Sequence, residues 1–176
     1  VRSVFLQTVL PTELIVVDDC STVGVSEDLF QDAPAEINCT LLRNNIPKGG
    51  NHARNFGVNI ATCDWVMFLD DDDQFTTDKV ETVCAEIEAG GEMVDVISHG
   101  ATIVMPEFNL TYLANTGYNN EINLPRELLL RNIVGSTSFV TVRRSILCSV
   151  GLFWEELPAL QDNELWLRLA LSGARF

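Results

Sequence analysis

The chain lacks any stretch approaching 18 consecutive apolar residues, and no charged-then-apolar leader opens it. The sequence therefore predicts neither a membrane span nor a signal peptide. Its five cysteines, Cys20, Cys39, Cys63, Cys84 and Cys148, stand singly. Without a CxxC pair, a zinc ribbon or dithiol redox motif is excluded, and unpaired thiols in a reducing cytoplasm are the simplest expectation. Basic residues are also scarce: 11 Lys and Arg face 25 Asp and Glu, for a formal charge of −14. Such a field repels phosphate polymers and anionic lipid at long range, which argues against nucleic-acid or membrane-surface binding. Repeats, low-complexity tracts and linker composition are absent. What remains is a chain of 176 residues, 47% apolar, long enough to bury the core of one domain. Val1 to Leu6 reads as mid-helix without a cap, and Gly173 to Phe176 stops without a terminator, so residues 1–176 are expected to form a single domain truncated at both ends.

Two short, branched apolar runs end abruptly in acid. Leu14-Ile15-Val16-Val17 runs into Asp18-Asp19, and Trp65-Val66-Met67-Phe68-Leu69 runs into Asp70-Asp71-Asp72-Asp73. Both suit strands buried on two faces. A weaker strand, Ile37 to Leu42, lies between them. Ala53, Phe56, Gly57, Ile60 and Ala61 then fall at i, i+3, i+4, i+7 and i+8, the stripe of an amphipathic helix that starts near Gly49-Gly50. Strand and helix alternation of this kind predicts an α/β fold with a doubly wound, mostly parallel sheet flanked by helices. Beyond the acids, a helix over 76–89 and strands over 94–98 and 101–105 are expected. Residues 109–123 read as a loop, and helices as returning over 125–131, 143–150 and 158–171.

Parallel strands ending in acids bring those acids to the carboxyl edge of the sheet, where open α/β sheets bind ligands. Four successive carboxylates repel one another unless a cation neutralises them, and hard oxygen ligands suit Mg²⁺ or Mn²⁺, which readily share substrate phosphates. A solvated acidic turn favouring the helix that follows is the bland alternative. The second acid pair, at Asp18-Asp19, weighs against it, because helix capping does not require both. In Asn45 to Asn55 a Gly-rich turn meets a helix start, a place for anions. Arg54 in the first turns of that helix is misplaced on dipole grounds unless it faces a carboxylate or phosphate. His52 and His99 are more readily ordinary surface or core histidines than catalysts. In Gln161 to Leu169, Asp162 shares a helical face with Trp166 and Leu169, where a carboxylate is costly unless paired or used, for instance as a general base or helix cap. Glu164 and Arg168 form an i, i+4 pair on another face, expected to contribute only about 0.3 to 0.5 kcal/mol.

Taken together, Gln7-Thr8 with Pro11 before Ile15-Val16-Val17-Asp18-Asp19-Cys20-Ser21-Thr22, Gly50 through Ala53-Arg54-Asn55-Phe56-Gly57, Phe68-Leu69-Asp70-Asp71-Asp72-Asp73, and Gln161-Asp162-x-Glu164-Leu165-Trp166-Leu167-Arg168 resemble glycosyltransferase family 2. The resemblance implies a GT-A, Rossmann-like fold and an inverting transferase that moves a sugar from a nucleotide-sugar donor, a UDP-sugar first, to a saccharide or lipid-linked saccharide acceptor in polysaccharide or cell-surface glycan synthesis. It makes Asp18, Asp19, Arg54, Asp70 and Asp71 donor-binding, with Asp19 the base contact. Asp70-Asp71-Asp72 becomes the DxD motif, with Asp72 and Asp70 at the Mn²⁺ or Mg²⁺, and Asp162 becomes the general base. Cys20 stands where the family usually has Gly, Gln161 where Glu is commoner, and the family's first strand would precede Val1. A cytoplasmic location is expected, with the inner face of the membrane left open. A sugar-nucleotide nucleotidyltransferase and a non-catalytic nucleotide-binding homologue remain as alternatives.

Overall fold

The computed structural model describes residues 1–114 and 122–176. A short helix, α1 (Arg2–Phe5), leads to strand β1 (Glu13–Asp18), which pairs in parallel with β2 (Asn38–Arg43), from Glu13 opposite Asn38 to Asp18 opposite Arg43. Helix α2 (Gly50–Ile60) returns across β1. Its Gly57 lies on the strand, where an added Cβ would meet the side chain of Val17 at 3.7 Å and that of Ile15 at 3.9 Å. The chain continues through β3 (Trp65–Met67), α3 (Lys79–Gly90), β4 (Val96–Ser98), β5 (Ala101–Met105), β6 (Leu110–Ala114), α4 (Leu124–Leu130), β7 (Val140–Arg143), α5 (Arg144–Ser149) and α6 (Gln161–Leu171).

The α/β class is as expected, but the pairing is more mixed than a strand, helix, strand order suggests. Among the described residues the parallel ladder is β1–β2. β7 inserts between β3 and β4 and runs antiparallel to both, with Thr141 opposite Met67 on one side and Ile97 on the other. This register brings the carboxyl ends of β3 and β4 and the amino end of β7 to one rim. The buried core sits behind that rim. Val140, Val142, Leu147, Leu165, Trp166 and Leu169 are all almost wholly buried, and each large apolar side chain so buried contributes about 1.5–3 kcal/mol.

Several boundaries differ from the sequence expectation for physical reasons. The chain over 140–143 is a strand, β7, where no strand was expected; its central Thr141 is fully buried and interrupts the apolar run. Within the expected loop 109–123, Leu110–Ala114 forms β6, paired with β5 in a hairpin. Both faces of β6 are largely exposed, so no inside–outside alternation marks it. Residues 115–121 of that loop lie outside the described residues. Helix α3 begins at Lys79 instead of Thr76, and α6 at Gln161 instead of Pro158, because Leu160 adopts a left-handed φ of 58° immediately before it. Among the described residues no helix is long and apolar enough to cross a membrane.

Candidate active site

The first acid pair divides its work. Asp18 is buried at the end of β1, its side chain 0% exposed. It accepts hydrogen bonds from the amides of Ser21 (2.8 Å) and Val25 (3.2 Å) and pairs with Arg43 at 3.1 Å. Arg43 also donates to the Ser21 carbonyl, which closes the turn after β1. The Ser21 hydroxyl and amide, then Val25 and Arg43, hold the Asp18 carboxyl below its usual range despite burial. Asp18 is thus engaged inside its own loop. Asp19 points the other way, accepting from Asn44 Nδ2 (2.7 Å), the Lys48 amide (3.0 Å) and the Gly49 amide (2.6 Å). Burial pushes its carboxyl up, but these hydrogen bonds and nearby His52 outweigh that and leave it lowered. Between the acids and Ser21, Cys20 takes a left-handed φ of 64°, the backbone state that glycine adopts without strain.

Asp19 therefore fixes the start of α2. Gly49, the residue before that helix, has no side chain to cap it and sits at φ 91°. The first amides of α2 are left for an outside acceptor. One turn further on, Arg54 donates to Asp70 at 2.5 Å and lies over the Phe153 ring, 5.6 Å from its centroid. The cation that looked misplaced near a helix start thus faces a carboxylate. The tips of β1 and β3 are attached to the same end of one helix, Asp19 through Gly49 and Asp70 through Arg54.

Asp70 is held from a third side as well. Thr137 Oγ1 donates to its Oδ2 at 2.9 Å, and its amide donates to Ser138 Oγ at 3.0 Å. Asp71, Asp72 and Asp73 are exposed, and among the described residues no side chain pairs with their carboxylates. No group of three His, Cys, Asp or Glu side chains close enough to hold a cation by themselves occurs among the described residues. The donor set instead fits a cation that takes one or two carboxylates and completes its shell with water and substrate phosphate, as Mg²⁺ does.

Asp162 lies half-buried in the first turn of α6. Its Oδ2 accepts from Asn132 Nδ2 at 3.1 Å and its Oδ1 from the Asn163 amide. It makes no direct bond to Asp19 or Asp70. α2 holds the loop that leads into α6: Asn55 bonds both backbone groups of Phe153, and Asn51 bonds the carbonyls of Trp154 and Leu157. The Glu164–Arg168 pair is more than the plain i, i+4 pair expected. Arg168 grips Glu164 with two nitrogens, at 2.5 and 2.7 Å, and also donates to the carbonyls of Val150 and Leu152, each at 2.6 Å. That fork ties the turn after α5 to α6, and packing holds it where solvent would otherwise weaken it.

The sequence reading missed the groups that hold the acids: Asn44, Asn132, Thr137 and Ser138. The available signal was the polar stretch Gly135-Ser136-Thr137-Ser138 just before an apolar run. Lys79 was also missed: it is 6% exposed, its Nζ has no hydrogen-bond partner, and burial lowers its pKa to about 8.

A model of glycosyl transferase family 2 matches residues 1–151. An uncharacterized glycosyltransferase of Haemophilus influenzae is 31% identical over 96% of the chain, and the chain spans 55% of that relative's length. The Escherichia coli UDP-Glc:alpha-D-GlcNAc-diphosphoundecaprenol beta-1,3-glucosyltransferase WfaP is 29% identical over 99% of the chain and 65% of its own length. Two solved structures share the fold. Staphylococcus aureus TarS in complex with UDP has a TM-score of 0.70 at 21% identity, over 97% of this chain and 49% of that one. The Pyrobaculum calidifontis mannosyltransferase PcManGT with GDP-Man and Mn²⁺ has a TM-score of 0.68 at 19% identity, over 99% and 48%.

Proposed function

The chain belongs to glycosyl transferase family 2, and on that premise we propose that it carries the donor-binding and catalytic site of an inverting transferase that moves a sugar from a nucleotide sugar to a saccharide or lipid-linked saccharide acceptor. The observation that carries this reading is the attachment of the β1 and β3 tips to one end of α2, through Asp19–Gly49 and Asp70–Arg54. That arrangement sets uncapped helix amides, one arginine and a row of exposed carboxylates side by side, the chemistry that receives a diphosphate together with a divalent cation. UDP bound to TarS, the UDP-Glc donor of WfaP, and GDP-Man with Mn²⁺ in PcManGT support a nucleotide-sugar donor, with UDP-sugars first. The acceptor of WfaP supports a lipid-linked saccharide.

The residues divide the reaction. Asp19 and Arg54 fix the nucleotide side, with Asp18 shaping the loop that carries Asp19. Asp72, helped by Asp70, would hold Mn²⁺ or Mg²⁺, which supplies positive charge to the leaving diphosphate. The acceptor oxygen bonds to the anomeric carbon as the bond from that carbon to the diphosphate oxygen breaks. The acceptor proton passes to Asp162, and the electron pair of the broken bond leaves on the diphosphate. A single displacement of this kind inverts the anomeric centre.

The test is a thermal shift with UDP and Mn²⁺, run beside GDP and Mn²⁺. The proposal expects a rise in Tm with one of them, abolished by Asp72→Ala. Asp162→Asn should keep the shift and lose sugar transfer; a wild type that responds to neither nucleotide would end the proposal.

A further inference from the structure

The seven residues Asn132 to Ser138 touch both halves of the proposed site. At one end Asn132 Nδ2 donates to Asp162 Oδ2 at 3.1 Å. At the other, Thr137 Oγ1 donates to Asp70 Oδ2 at 2.9 Å, and Ser138 Oγ accepts the Asp70 amide at 3.0 Å. The pairs join residues 30, 67 and 68 positions apart in sequence. From this geometry we infer that the segment is a rigid strap that sets the proposed base and the proposed donor acid relative to each other, with Asn132 and Thr137 as positioning residues. The inference rests on the functional reading above.

Rigidity follows from how fully the strap is bonded. Asn132 Oδ1 accepts the amides of Val134 (3.2 Å) and Gly135 (2.8 Å), while its Nδ2 serves the Gly135 carbonyl (3.1 Å) as well as Asp162. Since Oδ1 must meet two N–H groups, the amide can take only one of its two orientations, and Nδ2 is obliged to face the carboxylate. Gly135, at φ 105°, occupies a backbone state that a side chain would strain. Its carbonyl also accepts from Trp166 Nε1 at 2.8 Å, and Trp166 is fully buried in the α6 face of the core. Val134, Thr137 and Ser138 are buried too. A loop so satisfied has few other conformations available, so it fixes the spacing between its two ends while each end holds its own carboxylate.

Two substitutions separate the ends of the strap. Asn132→Asp keeps an oxygen for the Val134 and Gly135 amides while replacing the donor to Asp162, and to the Gly135 carbonyl, with a like charge. Thr137→Val keeps the shape of a buried side chain and deletes the hydroxyl on Asp70. The measurements are kcat, the donor KM and the Kd for UDP with Mn²⁺ on the full chain, with Tm recorded alongside.

Asn132→Asp should lower kcat by about 100-fold, the scale of a mis-set catalytic group, with the nucleotide Kd within about twofold of wild type. Thr137→Val should weaken the nucleotide Kd and raise the donor KM by about tenfold, the scale of one hydrogen bond to a charged group. Thr137→Ser should restore both. Parallel losses of kcat and affinity in the two variants, tracking their loss of Tm, would mean that the segment only supports the fold and would overturn the inference. An unchanged kcat in Asn132→Asp would overturn it equally. A wild type that binds no nucleoside diphosphate removes the functional reading and the strap together, whereas a wild type that binds and turns over with unsplit variants removes the strap alone.

Discussion

Arg54 reaches back along α2 to Asp70, and on the way its guanidinium passes the start of the helix: a Cβ added at Gly50 would sit 3.1 Å from Arg54 Nη1. A side chain at Gly50 would therefore press on the arginine that lies across it. The two residues are one turn apart, and the space that one leaves is used by the other to hold the tip of β3.

Gly50→Ala should separate folding from binding. Alanine in the first turn of a helix is tolerated, so Tm should stay within about 2 °C of wild type. The guanidinium has to give by a few tenths of an ångström to make room, which disturbs the seat of its Nη2 on Asp70. Affinity for UDP with Mn²⁺ should fall about five- to tenfold by calorimetry, on the scale of one weakened charged hydrogen bond. Arg54→Lys should lose more, since an ammonium cannot keep a planar group over Phe153 while it reaches Asp70. Equal affinity in wild type and Gly50→Ala would show that Arg54 does not face the nucleotide.

Cys20 carries a second local conflict. Its φ of 64° is a left-handed state, and its thiol reaches only a long contact of 3.6 Å with the Asn45 carbonyl. A side chain in that state costs about 1–2 kcal/mol, and a glycine there gives back roughly 0.5–1 kcal/mol through the unfolded chain. Cys20→Gly should thus raise Tm by about 1–3 °C, while Cys20→Val, branched at Cβ, should lower it. A scanning calorimetry comparison of the three proteins checks the order.

The strand tips were legible because β1 and β3 lie in short apolar runs that lead into acids, a pattern that a single stretch of chain displays in full. The surroundings of those acids were not. Asp70 is held by Thr137 and Ser138, whose separation in sequence is bridged only when β7 inserts between β3 and β4. β7 itself was hidden because Thr141, fully buried at its centre, looks like a break in the apolar run. Glu164 and Arg168 were recognised as a pair, but the carbonyls of Val150 and Leu152 that complete the arginine's shell are backbone groups that every sequence has. Position along the chain showed which residues are charged; tertiary register decided what each charge meets.

Asp95 makes acid stability testable. It is buried beneath Arg175, which donates from both its Nε and Nη2 at 2.8 and 2.9 Å, and beneath Arg143 at 3.4 Å. The Arg175 hydrogen bonds, chiefly, and both guanidinium charges hold its carboxyl below the usual range, against the pull of burial. Asp18 and Asp19 are lowered as well. For a carboxyl with a depressed folded pKa, the stabilisation is complete above the unfolded value of about 3.9 and is lost as pH falls toward the folded value. Tm should therefore be insensitive to these groups between pH 7 and 5 and fall below about pH 4. Asp95→Asn should lower Tm at pH 7 and shrink the acid-induced fall, read from melts across pH 3 to 7.

Lys79 is a penalty at neutral pH where Asp95 is a gain, although both favour the fold more as pH rises. Its Nζ is buried without a hydrogen-bond partner and lies 5.7 Å from the centroid of the Phe75 ring, and burial lowers its pKa from 10.5 to about 8. A base with a depressed folded pKa holds fewer protons in the folded chain than in the unfolded one between those two values, so its contribution to stability rises with pH across that window. The difference corresponds to about 3 kcal/mol, on the scale of 1.36 kcal/mol per unit, and it acts as a penalty at pH 7. Cys39 and Cys63, whose thiols are raised by burial, pull the other way at high pH, because the unfolded chain loses those protons first. A comparison of wild type with Lys79→Met isolates the amine. Methionine keeps the length of the stem without its charge, so the variant should be more stable than wild type at pH 7, and the gap should narrow steadily as pH is raised toward 10. Urea midpoints at pH 7, 8.5 and 10 measure it. A gap that stays constant with pH would mean that the amine keeps its proton in the fold and that Phe75, with ordered water, solvates it well enough.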